Sequence, residues 1–175
     1  SISPLSTETY SVTATSSNGC KTIASSKVNV LPKPNANAGN DLGICLGSQA
    51  NLKASGGVTY LWSTGENTDV IQVSPVVTTN YFVTVSNGNC SDFDTVQVVV
   101  KPLPIANAGV DQTICKGNSA KLEASGGNNY LWSNGSTGFG TTAFTSGLYS
   151  VTASSNGCTG TDAVSVVFNP IPSVS

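Results

Sequence analysis

The sequence contains no histidine, no methionine and no arginine, so all seven of its basic residues are lysines. Histidine is the side chain that titrates near neutral pH, and acid–base and triad chemistry therefore lose their most frequent participant. Without arginine the chain cannot bind phosphate through forked guanidinium groups, and it has no basic stripe that would release counterions from nucleic acid. These absences predict a protein that is not an enzyme and has no nucleic-acid partner.

Charged residues and long hydrophobic runs are also scarce. Charged residues make up 9% of the chain, whereas about 25% is usual, so the surface must be built largely from Ser, Thr, Asn and Gly. Seven basic and nine acidic residues leave a net charge of −2. No apolar run approaches the roughly 18 residues that span a bilayer, and no charged-then-apolar leader resembles a signal peptide. We therefore expect no membrane insertion in this segment.

The dominant feature of the sequence is an internal repeat of about seventy residues, and self-similarity at a fixed period is the sequence signature of a repeat architecture. Residues 102–111 repeat 32–41, and 130–133 repeat 60–63. We predict four parts, of which the first is the end of a truncated copy: 1–31 the C-terminal part of an immunoglobulin-like repeat, 32–101 and 102–170 two complete repeats, and 171–175 the start of the next linker.

Each copy has the pattern of short strands separated by turns. Tyr81, Val83 and Val85 alternate with polar or variable positions, and a period of two predicts a strand with one buried face. Asn-Gly follows this strand in every copy, which predicts a tight hairpin. About seven such strands per copy predict an all-β fold of tandem immunoglobulin-like antiparallel β-sandwiches arranged end to end. The predicted core residues are Trp62, Trp132, Tyr81 and Tyr149.

The motifs of the repeat resemble a known repeat type. The series Ala-Asn-Ala-Gly-x-Asp, Ile-Cys-x-Gly, Ala-Ser-Gly-Gly, Tyr-Leu-Trp-Ser-x-Gly, Tyr-x-Val-Thr and Asn-Gly-Cys is similar to the Ig-like and PKD-like repeats of large Bacteroidota surface proteins. Among these are gliding-motility adhesins exported by the type IX system. The resemblance covers both complete copies and implies an extracellular, cell-surface adhesin or filament built from many repeats.

Five cysteines occupy two positions of the repeat: Cys45 and Cys115 before the second strand, and Cys20, Cys90 and Cys158 after the Asn-Gly turn. They predict disulfides in an oxidising compartment, since zinc binding would need histidines or closely spaced cysteine pairs. Two pairings remain open. One is intradomain, Cys45–Cys90 and Cys115–Cys158, although those positions lie at opposite ends of a standard sandwich. The other is head-to-tail, Cys45–Cys158, and in either case Cys20 lacks its upstream partner.

The few acidic residues recur at equivalent positions, Asp41 with Asp111 and Asp94 with Asp162. If the first strand of a copy pairs parallel with the last, the two aspartates of each copy approach one another. Hard cations prefer such oxygen clusters, so calcium is the candidate metal, and we expect no other cofactor. The alternative is that each aspartate accepts hydrogen bonds from nearby backbone in a turn.

These features predict a structural stalk or fibre segment whose partners are the neighbouring repeats of the same polypeptide. A low-charge surface also imposes little electrostatic repulsion against lateral self-association. The alternative is a module that binds carbohydrate or another cell surface through the divergent segment 133–147. That segment contains Phe139 and Phe144, of which we expect one to fill the core and the other to have no particular role.

Overall fold

The computed structural model describes residues 2–172, and every helix or strand within that range is a β-strand. That part of the chain accordingly contains no helix long and apolar enough to cross a membrane. Residue 1 of the first predicted part and residues 173–175 of the predicted linker lie outside the described range.

The first part of the chain forms one hairpin, and each complete repeat forms six strands. The strands are β1 Glu8–Thr15, β2 Lys21–Val28, β3 Leu42–Cys45, β4 Ala50–Lys53, β5 Thr59–Trp62, β6 Val70–Val73, β7 Thr79–Asn87, β8 Cys90–Lys101, β9 Gln112–Cys115, β10 Ala120–Glu123, β11 Asn129–Trp132, β12 Gly140–Ala143, β13 Gly147–Ser155 and β14 Cys158–Asn169.

Each complete repeat has one four-stranded and one two-stranded sheet. The sheet orders are β3-β8-β7-β5 with β4-β6 in the second repeat, and β9-β14-β13-β11 with β10-β12 in the third. The first strand of each repeat lies parallel to the last, with Leu42 opposite Val98 and Gln112 opposite Val166. This order places the third strand and the closing hairpin in one sheet and the second and fourth strands in the other, as in an immunoglobulin-like sandwich. The predicted all-β, immunoglobulin-like fold is confirmed.

The described chain divides into two compact units, each of which takes residues from the second repeat. The first unit consists of the residues up to Asn40 together with Asn51–Gln72 and Asn80–Val96, and the second consists of Asp41–Ala50, Val73–Thr79 and the residues from Gln97 onward. The first unit therefore contains β1, β2, β5 and all of β7 except Thr79, and the second contains β3 and β9 to β14.

The core of the third repeat is built around Trp132, which is 1% exposed. Leu122, Val151 and Val164 belong to the same buried cluster, and Tyr149 packs against it while partly exposed. The indole Nε1 of Trp132 donates to the carbonyl oxygen of Gly138 at 3.2 Å, so the buried ring keeps a hydrogen-bond partner. Alternation along β13 is the reason that one face of the strand is apolar and buried.

The second repeat buries the equivalent residues. Trp62 and Tyr81 are both buried, and Val83 and Val85 are fully enclosed. Trp62 Nε1 donates to the carbonyl oxygen of Thr68 at 3.0 Å. The hairpin of β1 and β2 differs, because Val12, which aligns with Val83, is 66% exposed. A single hairpin offers only two strands, which cannot enclose a core between them.

The Ala-Ser-Gly-Gly motif is explained by a close approach of two backbone segments. Ser125 forms an antiparallel bridge with Asn107, and the next residue, Gly126, has a φ of +91°. A Cβ atom on Gly126 would overlap the carbonyl oxygen of Ile105. The segment before the first strand therefore packs directly on the backbone that follows the second strand.

Replacing Gly126 with alanine should destabilise the third repeat by more than about 1–3 kcal/mol, the strain expected from an unfavourable φ alone, because the backbone overlap adds to it. Gly135→Ala is the matched control, since Gly135 has a φ of +88° and a Cβ atom added to it would meet no other atom within 4 Å. Urea unfolding curves measure both variants. Equal losses of stability in the two would show that the contact with Ile105 has no effect.

Candidate functional site

The chain carries a disulfide between two repeats. Cys45 at the end of β3 is bonded to Cys158 at the start of β14, with 5.6 Å between their Cα atoms and a sequence separation of 113. Cys20, Cys90 and Cys115 are free thiols. The structure therefore forms the head-to-tail pairing, and the intradomain alternative, Cys45–Cys90 with Cys115–Cys158, is not formed.

Strand register is the physical reason that the intradomain pairs do not form. Cys45 lies opposite Lys101 in the parallel pair of β3 and β8, whereas Cys90 is at the other end of β8, 101 − 90 = 11 residues away. At about 3.3 Å per residue the two cysteines are roughly 36 Å apart. Disulfides need Cα atoms within about 7 Å. The same register in the third repeat places Asn169 opposite Cys115 and separates Cys115 from Cys158.

A hairpin turn positions Cys158 for this bond. Asn156 and Gly157 both have positive φ, 53° and 83°, and this is the conformation that a two-residue hairpin requires. The turn also contacts the end of the second repeat directly, because Lys101 Nζ donates to the carbonyl oxygen of Asn156 at 3.2 Å. Cys158 itself is 1% exposed. No sequence pattern indicates Lys101 as part of this site.

Asp94 and Asp162 hold the first segment of each repeat against the last strand. Asp94 Oδ2 accepts a hydrogen bond from the backbone N–H of Ala38 at 2.9 Å, and Asp162 Oδ2 accepts the equivalent bond from Ala108 at 2.8 Å. A carboxylate is a strong acceptor for a backbone N–H group. These bonds join residues more than fifty positions apart in the chain, so each aspartate closes its repeat.

Asp41 and Asp111 make the reverse contact, in which the carboxylate lies in the first segment of the repeat and the backbone N–H group lies on the last strand. Asp41 Oδ1 accepts from the backbone N–H of Gln97 at 2.7 Å, and Asp111 Oδ1 accepts from Ser165 at 2.8 Å. The recurring Ala-Asn-Ala-Gly-x-Asp motif therefore supplies one N–H donor and one carboxylate to the last strand. Its asparagine has a further role that the sequence analysis missed: Asn107 Oδ1 accepts from the N–H of Gly109 at 2.8 Å.

The four aspartates thus accept hydrogen bonds from backbone N–H groups, but these donors lie more than fifty residues away in sequence and not in a nearby turn, as the second alternative expected. Within residues 2–172 no group of three or more histidine, cysteine, aspartate or glutamate side chains is placed to hold a metal ion. Each of Asp41, Asp94, Asp111 and Asp162 instead has an oxygen occupied by a backbone N–H. Calcium typically takes six to eight oxygen ligands.

Addition of calcium or of a chelator should leave the melting temperature of the chain unchanged, because backbone N–H groups already satisfy these carboxylates. A ligand that binds only the folded state would raise the melting temperature. Differential scanning calorimetry in calcium chloride and in EDTA makes the comparison. A calcium-dependent rise that Asp94→Asn removes would contradict this interpretation and restore the metal site.

Stability should fall at acidic pH through Asp162. The N–H groups of Ala108 and Ala163 hold the pKa of the Asp162 carboxyl below its ordinary value. Because the pKa is lowered in the folded state, the ionised carboxylate stabilises the fold fully at pH values above its ordinary pKa of about 3.9. This stabilisation is lost as pH falls through the lowered value. The melting temperature of Asp162→Asn should therefore lie below wild type at pH 6 and approach it near pH 2.

The matched control for charge removal is Glu123→Gln, an exposed carboxylate on β10 of the same repeat. Its difference from wild type should be small at both pH values. A constant difference between Asp162→Asn and wild type across the acidic range would show that the Asp162 hydrogen bond does not depend on ionisation.

The divergent segment of the third repeat does not bury an aromatic ring. Phe139 is 64% exposed and Phe144 is 72% exposed, so the expectation that one of them fills the core is wrong. Ala143, on β12, is 1% exposed and occupies the core position that Val73 fills in the second repeat. Phe144 follows directly after it in the shortened connection to β13, where the chain has left the sheet.

Comparison with known proteins gives fold-level similarity only. No protein-family model and no curated protein matches the chain. Among solved structures it is similar to the I-band fragment I67–I69 of titin (15% identity, TM-score 0.47, covering 93% of this chain and 75% of that one). It is also similar to extracellular domains 3–5 of Drosophila OTK (13% identity, TM-score 0.45, covering 93% and 71%). The immunoglobulin-like assignment therefore rests on the strand order described above.

Proposed function

We propose that this chain is a structural segment of a large bacterial surface adhesin or filament, in which tandem immunoglobulin-like repeats form a disulfide-stabilised stalk. The observation that carries the proposal is the bond between Cys45 and Cys158, because it joins two successive repeats and not two strands of one repeat. A cross-link between repeats restricts their separation and resists extension. This role is mechanical and requires no catalysis.

The proposed stalk continues in both directions by the same bond. Cys115 ends β9 as Cys45 ends β3, and it is exposed. Its partner in the full polypeptide is then the cysteine after the hairpin turn of the following repeat. Cys90 and Cys20 align with Cys158, so each pairs with the first-strand cysteine of the repeat before it. The exposed Val12 supports this arrangement, since the rest of a first repeat would cover it.

The proposed location is extracellular, at the cell surface. Disulfides persist in oxidising compartments and are rare in the cytosol. The similarity of the repeat motifs to those of Bacteroidota surface proteins, including gliding-motility adhesins, supports the same location. The short linkers support a stalk as well, because Pro102 and Pro104 favour extended backbone between the second and third repeats.

Single-molecule force spectroscopy tests the mechanical role. When the chain is pulled by its two ends, the residues between Cys45 and Cys158 cannot extend while the bond is intact. With a separation of 113 residues and about 3.6 Å per extended residue, breaking the bond should release roughly 400 Å of additional length. The oxidised wild type is compared with Cys45→Ser, and Cys115→Ser, which leaves the bond intact, is the control.

Equal contour lengths for oxidised wild type and Cys45→Ser would refute the proposed mechanism. A contour length of oxidised Cys115→Ser that exceeds that of oxidised wild type by the same roughly 400 Å would also refute it. The bond that bears the load would then involve Cys115.

A further inference from the structure

The second repeat has a surface depression whose aromatic and charged lining residues are not present at the equivalent positions of the third repeat. It has a volume of about 600 Å³, is open to solvent, and lies on the outer face of the four-stranded sheet, where residues of β7 and β8 meet the linker that precedes the repeat. Its volume lies within the range of about 300–1,000 Å³ typical of ligand pockets. The lining residues are Lys33, Phe82, Thr84, Ser91, Asp92, Phe93 and Thr95.

Two phenylalanine rings form the apolar part of this depression. Phe82 is 50% exposed and Phe93 is 72% exposed, although both lie on a sheet face that is otherwise rich in threonine and serine. The third repeat carries Ser150 and Thr161 at the equivalent positions. The fold itself therefore does not require aromatic rings here.

An ion pair forms the polar part. Lys33 Nζ lies 2.6 Å from Asp92 Oδ1, and Asp92 Oδ2 also accepts from the backbone N–H of Ala36 at 3.2 Å. The hydrogen bond from Lys33 holds the pKa of Asp92 below its ordinary value, so this carboxylate stays ionised near neutral pH. Leu103 and Gly160 occupy these two positions in the third repeat, which has no such pair.

We propose that this depression binds an uncharged carbohydrate, one sugar ring stacking on Phe82 or Phe93 while its hydroxyl groups bond with Lys33, Asp92 and the threonines. Carbohydrates present weakly positive C–H faces that suit the negative face of an aromatic ring, and their hydroxyl groups are both donors and acceptors. The charges of Lys33 and Asp92 cancel, so the site has no net charge to attract an anionic lipid or a nucleic acid.

The exposed area argues against a second protein molecule as the occupant. A stable protein interface buries about 1,600 Å², whereas two phenylalanine side chains supply at most about 300–500 Å². The side chains around them on this face are hydroxyl-bearing, such as Thr84 and Thr95. This binding role is independent of the proposed stalk and would add a ligand site to one repeat of it.

The test measures binding of the whole chain to four neutral tetrasaccharides, made of glucose, mannose, galactose and N-acetylglucosamine, by isothermal titration calorimetry. We expect saturable binding to at least one, and at least a tenfold loss of affinity in the double variant Phe82→Ser/Phe93→Thr. These residues occur at the same positions of the third repeat, so the fold should tolerate them. Phe144→Ser, which removes an exposed ring elsewhere, should leave affinity unchanged.

Lys33→Leu is a second variant that does not depend on the phenylalanines, and it should weaken binding severalfold while the melting temperature stays close to wild type. Three results would overturn the proposal. The first is that none of the four sugars binds saturably. The second is that binding is unchanged in both the double variant and Lys33→Leu. The third is that the chain self-associates in analytical ultracentrifugation and the double variant abolishes this self-association.

Discussion

Replacement of Trp132 by alanine is expected to unfold the third repeat or leave it marginal. Removing a fully buried tryptophan destabilises a domain by about 3–5 kcal/mol. A repeat of roughly seventy residues has a total stability of about 3.5–10 kcal/mol, at 0.05–0.15 kcal/mol per residue. Trp132 is 1% exposed at the centre of the core cluster, so the loss takes a large share of that total.

Denaturant unfolding followed by circular dichroism measures this loss. Because the variant retains Trp62 as its only tryptophan, the fluorescence signal reports the second repeat alone, which should unfold separately. Leu131→Ala is the matched control: Leu131 is the neighbour of Trp132 on β11 but is 53% exposed, and its removal should change stability little. Similar losses for the two variants would contradict the description of the core.

Replacement of Cys45 by serine is expected to have the second largest effect. On the chain-entropy model, a bond that closes a loop of 113 residues stabilises the folded chain by at most about 5 kcal/mol. The loss should appear in the unfolding of both repeats that the bond joins. Urea unfolding of oxidised Cys45→Ser and wild type, monitored by circular dichroism, gives the difference.

Cys115→Ser is the control for this experiment because Cys115 is an exposed free thiol at the equivalent position of the third repeat. Its stability should equal that of wild type in the isolated chain. A lower stability of oxidised Cys115→Ser would indicate that Cys115 forms a bond and that the assigned pairing is incomplete.

The strands and their faces could be predicted from the sequence because alternation is a local signal. Tyr81, Val83 and Val85 were expected to face the core, and all three are buried. The Asn-Gly signal also predicted where the closing hairpin turns. These features depend only on neighbouring residues, so a single sequence is sufficient to find them.

The disulfide pairing could not be decided in this way, because it depends on how far Cys90 lies along β8 from the residue opposite Cys45. β8 runs from Cys90 to Lys101, and no local pattern in the sequence fixes where this long strand begins. The depression of the second repeat was missed for a related reason. Phe93 and Asp92 come from one strand and Lys33 from a linker nearly sixty residues earlier, and no local pattern connects them.

The bond between Cys45 and Cys158 also has a consequence for resistance to proteolysis. A protease that cuts any single peptide bond between these two residues leaves both fragments covalently joined through sulfur. Exposed connections such as the one that carries Phe144 could therefore be nicked without releasing the part of the molecule beyond the cut. Such damage would become visible only after reduction, as two shorter chains on a denaturing gel.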